Sequence, residues 1–169
     1  MPAKAALIAN SLRLDFINPF IQSTVEVFDM MLNCTPQRTG LHVKKTSAPP
    51  YQLSAVIEAT GVATGTVVLS LSRDAACEVY HRMVGFRAST IDADVRDAVG
   101  EMTNIISGNA KAKLEQLQLS IGVPKMIAGR NHSVQFPPKA LPITVHFNSD
   151  VGPIAIEVGF AATEQPVAV

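Results

Sequence analysis

Net charge is the first thing this 169-residue chain lacks, since fourteen Lys and Arg are cancelled by fourteen Asp and Glu. Without an excess of either sign there is no global field to hold a polyanion, so neither nucleic acid nor an anionic membrane is an expected partner. Aromatic residues are only 5% of the chain, too few to build a stacking platform for bases. Cysteine occurs twice, as Cys34 and Cys77, with no CxxC and no histidine pair nearby. Two buried thiols in a reducing cytoplasm are the expectation. No run approaches the roughly 18 apolar residues of a membrane helix. The opening "MPAKAALIANSLRLDF" is interrupted at Asn10, Ser11 and Arg13 and is too short and broken for a signal peptide. The chain therefore reads as cytoplasmic, with no membrane partner.

Chemical motifs are scarce as well. His42, His81, His132 and His146 show no HxxxH or HExxH spacing, so no metal site is expected. There is no GxSxG elbow to turn Ser133, His132 or His146 into part of a hydrolase triad. "GVATG" at 61–65 lacks the Lys-Ser/Thr of a phosphate-binding loop and precedes a strand, so it reads as a turn. Lys111, Lys113, Arg130 and Lys139 read as solvated basic residues and not as a nucleic-acid site.

What is present is a globular pattern, 47% hydrophobic and 17% charged, of a length that suits one domain with a sizeable core. A first helix is expected over Pro19 to Leu32, with Asn18 as N-cap and Pro19 at the first helical position. Phe20, Ile21, Thr24, Val25, Phe28 and Met31 would form its apolar face. Strands are expected at 41–46, 51–59 and 64–72, the last two as a hairpin across "TGVA". A short helix follows, with Ser72 as N-cap and Gly85 just past its end. A long helix then runs from about Asp92 to Leu117, capped by Asp92 or Thr90. "IGVPKMIAG" contains Pro124, so it should lie at an edge or start late. "NHSVQFPPKA" reads as loop, and "PITVHFN" and "PIAIEVGF" alternate around the turn "SDVG" as a final hairpin. About six mostly antiparallel strands and three helices, in the order αβββααβββ, argue an α+β two-layer domain. Residues 1–13 are read as an N-terminal extension, 14–162 as the single domain and 163–169 as a C-terminal tail.

The long helix carries the stretch that needs explaining, "DAVGEMTNIISGNAKAKL" at 97–114. At about 100° per residue, Val95, Val99, Met102 and Ile106 make an apolar stripe, while Asp97, Glu101, Asn104 and Gly108 fall roughly opposite. A solvated helix face is the plain reading of such a ridge. Glycine argues against it, because in a helix interior Gly costs about 1 kcal/mol relative to Ala. Gly100, Thr103, Ser107 and Gly108 would keep the surroundings of Glu101 and Asn104 low, which suits close approach by a large partner.

The D/S-x-x-x-E-x-x-N pattern followed by glycine, matched at Asp97, Glu101 and Asn104 on a long helix in this order of elements, resembles the CheC/CheX family of chemotaxis phosphatases. "INPFIQSTVEVFDMML" is similar to the first helix of CheX-type domains, and the likeness spans about residues 14 to 162. The resemblance implies hydrolysis of the aspartyl phosphate on a CheY-like response regulator. It implies that Asn104 enters the regulator's active site and orients the attacking water, and that Glu101 faces its lysine. Asp97, Gly108 and Lys111 would be partner contacts. No cofactor of the chain's own is implied, the Mg²⁺ being supplied by the partner. Only one copy of the motif is visible, since Glu26 is followed three places later by Asp29, so the chain is CheX-like and a homodimer is expected from the resemblance.

An amide suits the water-positioning task because it donates and accepts without a charge that would repel phosphoryl oxygens. One rival reading is a signalling module of the same fold that binds a receiver domain without catalysis. The other is a small-molecule site, which would need a concave pocket with perturbed ionisable groups, whereas the phosphatase reading puts Glu101 and Asn104 exposed on a convex helix.

Overall fold

The computed structural model describes the backbone of residues 2–163 and the side chains from residue 15 onward. Three helices cover one face of an antiparallel sheet. The helices are α1 (Pro2–Leu32), α2 (Arg73–Val84) and α3 (Ala93–Ala112). The strands are β1 (Gln37–Val43), β2 (Leu53–Thr60), β3 (Ala63–Leu71), β4 (Ser120–Ile121), β5 (Lys125–Ala128), β6 (Ile143–Asn148) and β7 (Ile154–Ala162). Their order across the sheet is β1-β6-β7-β3-β2-β4, with β5 also paired to β2. Every pairing is antiparallel. This is the α+β two-layer domain expected from the sequence, with seven strands in place of about six.

Alternation decides which side of each strand enters the core. Leu53, Ala55 and Ile57 of β2, Val67, Leu69 and Leu71 of β3, and Ile154, Ile156 and Val158 of β7 are buried together with Phe20 and Phe28 of α1 and Val95, Val99, Met102 and Ile106 of α3. The opposite face of the sheet is covered as well. The chain from 129 to 142 crosses it, and Val134 packs there on Val56 and Val68. Gly159 permits that crossing, because a Cβ at this position would lie 2.9 Å from the Phe136 ring and 3.0 Å from Pro142.

α1 departs from expectation at its start. Asn18 does not cap it, and Pro19 lies inside a continuous helix, not at its first position. Proline there removes a hydrogen bond and crowds the preceding turn, a penalty of about 3 kcal/mol in an ordinary helix interior. Packing on both sides of Pro19 opposes that penalty. Phe16 and Phe20 both meet the Phe160 ring of β7, at centroid distances of 5.7 and 6.1 Å. β1 is shifted toward the N-terminus of the expected 41–46, ending at Val43. α2 follows its signals: Ser72 Oγ accepts from the Ala75 N–H, and Gly85 closes the helix at φ +82°. α3 ends at Ala112, and the expected continuation to Leu117 is instead a single 3-10 turn over Glu115–Leu117. The strand expected around Pro124 does start late, as β5 at Lys125, while Ser120–Ile121 before the proline forms the separate short β4.

Candidate functional site

α3 is held at both ends. Asp92 Oδ1 accepts from the Val95 N–H at 2.9 Å, and Asp94 adds a negative charge in the first turn. At the other end Lys113 Nζ reaches back to α1, donating to both carboxylate oxygens of Glu26 at 3.1 Å. Val95, Val99, Met102 and Ile106 face the core, and Asp97, Glu101, Asn104, Gly108 and Lys111 are exposed. The apolar stripe and polar ridge therefore fall where the helical count places them. Among the described residues, no hydrogen bond or ion pair engages the Glu101 carboxylate or the Asn104 amide. A Cβ at Gly108 would meet nothing within 4 Å, so the fold itself does not require glycine there.

Two expectations about the surroundings need correction. Thr103 and Ser107 are buried and do not lie open beside the ridge, and Gly100, also buried, reaches the surface only as part of the lining of a groove there. Nor is the ridge simply convex. Arg96, Asp97, Glu101 and Asn104 form one wall of a groove of about 520 Å³, and the chain from Ile121 to Met126 forms the other. The physical reason is sheet order: β4 and β5 both pair with β2, which brings the segment between them against Gly100. "IGVPKMIAG" announced an edge or late-starting strand, but nothing local in it tells which helix the segment before that strand would face.

Away from α3 the sequence reading missed two buried polar clusters. Glu157 is 0% exposed beneath the outer face, with Oε2 accepting from Lys44 Nζ at 2.7 Å and from Thr144 Oγ1 at 2.6 Å. Above it His42 and His146 stack at 5.2 Å, lining a second groove of about 450 Å³. Burial, and then the neighbouring His42, push the His146 pKa down, while Glu157 pulls it up. The other cluster is Ser54 with His132. His132 Nδ1 sits 2.8 Å from the Gly129 carbonyl, so it carries the proton, and Nε2 accepts from Ser54 Oγ at 2.7 Å. Ser54 is fully buried, and a backbone carbonyl stands where a hydrolase triad has an acid, so the pair fastens a loop to the sheet. Cys34 and Cys77 are both free; Cys34 is buried as expected, but Cys77 is only half-buried, contrary to the expectation of two buried thiols. Its thiol is pushed up by burial, partly opposed by Arg73. Among the described residues no three His, Cys, Asp or Glu side chains converge as metal ligands would. No helix among the described residues is long and apolar enough to cross a membrane.

The family profile described as chemotaxis phosphatase CheX matches residues 53–148, more than half of the chain, including all of α3 and the facing wall of its groove. The chain belongs to the CheX family. It is 27% identical over 122 residues to the CheY-P phosphatase CheX of Thermotoga maritima, covering 70% of this chain and 79% of that protein. The chemotaxis protein CheX of Desulfovibrio desulfuricans superposes with a TM-score of 0.78 at 29% identity, over 86% of this chain and 99% of that one. A structure of the CheX-CheY-BeF3-Mg²⁺ complex from Borrelia burgdorferi has a TM-score of 0.72 over 88% of this chain and 98% of that one. At 22% identity that last likeness is one of fold.

Proposed function

We propose that this protein is a phosphatase that accelerates hydrolysis of the aspartyl phosphate on a CheY-like response regulator, with Glu101 and Asn104 as its working pair. Membership of the CheX family supports the activity. The observation that carries the residue assignment is the state of the pair itself: exposed, unpartnered, one turn apart and mounted on a helix anchored at both ends.

In this reading the α3 ridge enters the receiver's active site. The Asn104 amide holds a water in line with the phosphorus. The water oxygen bonds to phosphorus as the bond to the aspartyl oxygen breaks, releasing inorganic phosphate and a free carboxylate. Such a step has little covalent chemistry for an auxiliary protein to perform, so positioning and electrostatics are its whole contribution. Glu101 pairs with the receiver's lysine and fixes the register of docking. Asp97, Gly108 and Lys111 lie along the same exposed side and contact the partner. The Mg²⁺ is the receiver's own, and this chain brings no cofactor. We place the activity in the cytoplasm and in the unit 14–162. A homodimer is part of the proposal, supported by the open outer edge of β1, where Leu41 and Val43 are exposed.

The test is phosphate release from receiver domains phosphorylated with a small-molecule donor, each alone, with the wild type, and with Asn104→Ala. Wild-type acceleration that falls by about 100-fold or more in the variant is expected, the scale of losing a positioned polar group in a transition state. Because Asn104 is exposed and alanine is the better helix residue, the variant's melting temperature should not fall. Binding without acceleration would move the protein to the non-catalytic module reading.

A further inference from the structure

We propose that Gly122–Val123–Pro124 is the second wall of the docking surface and that Val123 is its apolar anchor on the phosphorylated receiver. The inference rests on the phosphatase reading and extends it to a segment that the E-x-x-N motif does not contain.

Val123 is 84% exposed, the most exposed of the large aliphatic and aromatic side chains among the described residues, yet it stands at the rim of the groove lined by Glu101 and Asn104. A single apolar side chain on a surface ordinarily carries no message. This one is fixed. The Gly122 N–H donates to the Glu58 carbonyl at 2.8 Å, and a Cβ at Gly122 would crowd that same oxygen at 3.3 Å. Ile121 pairs with Ala59 and Lys125 with Val56, so β2 clamps the segment on both sides. Pro124 removes a backbone freedom within it. A rigid apolar knob loses little conformational entropy when it is covered, which is the property of an anchor.

The occupant follows from the charges. Asp97 and Glu101 lie one turn apart on the groove's helical wall, a like-charged pair that weakens a helix. Neither is in an ion pair among the described residues. Arg96 is the one cation lining the groove, set against these two carboxylates, and Lys125 on the facing wall is turned to Glu58 at 3.8 Å. The groove therefore complements a partner that presents a cationic side chain toward α3 and an apolar one toward Val123. That describes one face of a receiver, with its active-site lysine against Glu101 and an apolar residue beside the phosphorylation site covering Val123.

The experiment is steady-state dephosphorylation with wild type, Val123→Ala, Val123→Asp and Asn104→Ala, together with binding to a receiver loaded with beryllofluoride and Mg²⁺. Removing the buried aliphatic group should raise KM and Kd by about 3- to 10-fold in Val123→Ala, and by more than about 10-fold in Val123→Asp, with kcat at saturation kept. Asn104→Ala should do the reverse, lowering kcat with little change in binding. Melting temperatures report that the exposed substitutions leave the fold intact. Wild-type activity with KM and Kd unchanged in both Val123 variants overturns the anchor and leaves the phosphatase standing, and so does a loss confined to kcat. A wild type that neither binds nor dephosphorylates any receiver overturns both.

Discussion

Replacing Gly108 by alanine separates what the fold wants from what the proposed function wants. The residue is exposed within the last turns of α3, and a Cβ there has open space on every side. Alanine is then better than glycine on backbone grounds alone, by about 0.5–1 kcal/mol, because the unfolded chain has less freedom to lose. For a chain of this length that corresponds to a rise in Tm of roughly 1–4 °C. If the ridge at 108 lies against the receiver, the added methyl has to be accommodated in a packed interface, at about 1 kcal/mol, or roughly 5-fold in kcat/KM. Gly108→Gln keeps a favourable helix residue and adds far more bulk, so its activity should fall further while its stability stays near that of the alanine variant.

Thermal melts followed by circular dichroism at the helix band give the first quantity, and phosphate release from a phosphorylated receiver gives the second. Opposite signs are expected, with stability up and activity down. Higher stability with unchanged activity in both variants would remove Gly108 from the contact surface. Lower stability in Gly108→Ala would mean the backbone at 108 is not the regular, open helix described above, and the reasoning from its free space would fail.

Two further predictions concern the outer face of the sheet. Lys44→Met leaves the Glu157 carboxylate buried without its cation and should destabilise the fold by about 3–5 kcal/mol, while Lys44→Met with Glu157→Leu should recover most of that, both read by chemical denaturation. His146 is held below its ordinary pKa, so below about pH 6.5 the unfolded chain takes up a proton that the folded chain resists. Its contribution is complete above that pH and is lost progressively as pH falls through it. His146→Gln should flatten this part of the stability profile, and an unchanged profile would refute the assignment.

Much of the fold was legible because its signals are local. Ser72 and Gly85 mark both ends of α2, the alternation of 143–147 and 154–160 marks the last hairpin, and Pro124, with no N–H, delays the start of a strand to Lys125. The errors lie where tertiary packing overrides a local rule. Asn18–Pro19 reads as a helix start, and only the Phe160 ring packed against residues on either side explains the uninterrupted helix. Glu157 reads as an outward polar residue of a half-buried strand, and nothing in β7 announces that it is completely buried. The groove beside Glu101 is the same kind of omission, because its far wall is brought there by sheet order and not by any pattern within 121–126.

The contrast between two helices supports the proposal that the motif on α3, and not its near-match on α1, is the working pair. Glu26 and Asp29 stand three residues apart, as Glu101 and Asn104 do, so spacing alone does not distinguish them. Their partners do. The Glu26 carboxylate is taken by Lys113, which crosses from the end of α3, and Asp29 accepts from Thr35 Oγ1 at 3.2 Å just past the helix end. A group already satisfied inside its own chain has to give up that contact before it can serve a partner, and it gains correspondingly less. Glu101 and Asn104 have no bond within the described chain to give up, only water, and the helix that bears them is secured by other residues: Asp92 at its start, Lys113 at its end and the Val95–Ile106 stripe beneath. Rigidity thus comes from residues outside the proposed contact surface, while the pair proposed to meet the receiver is left free of internal bonds. That division of labour is the form a preorganised site takes when the other half of the active site belongs to another protein.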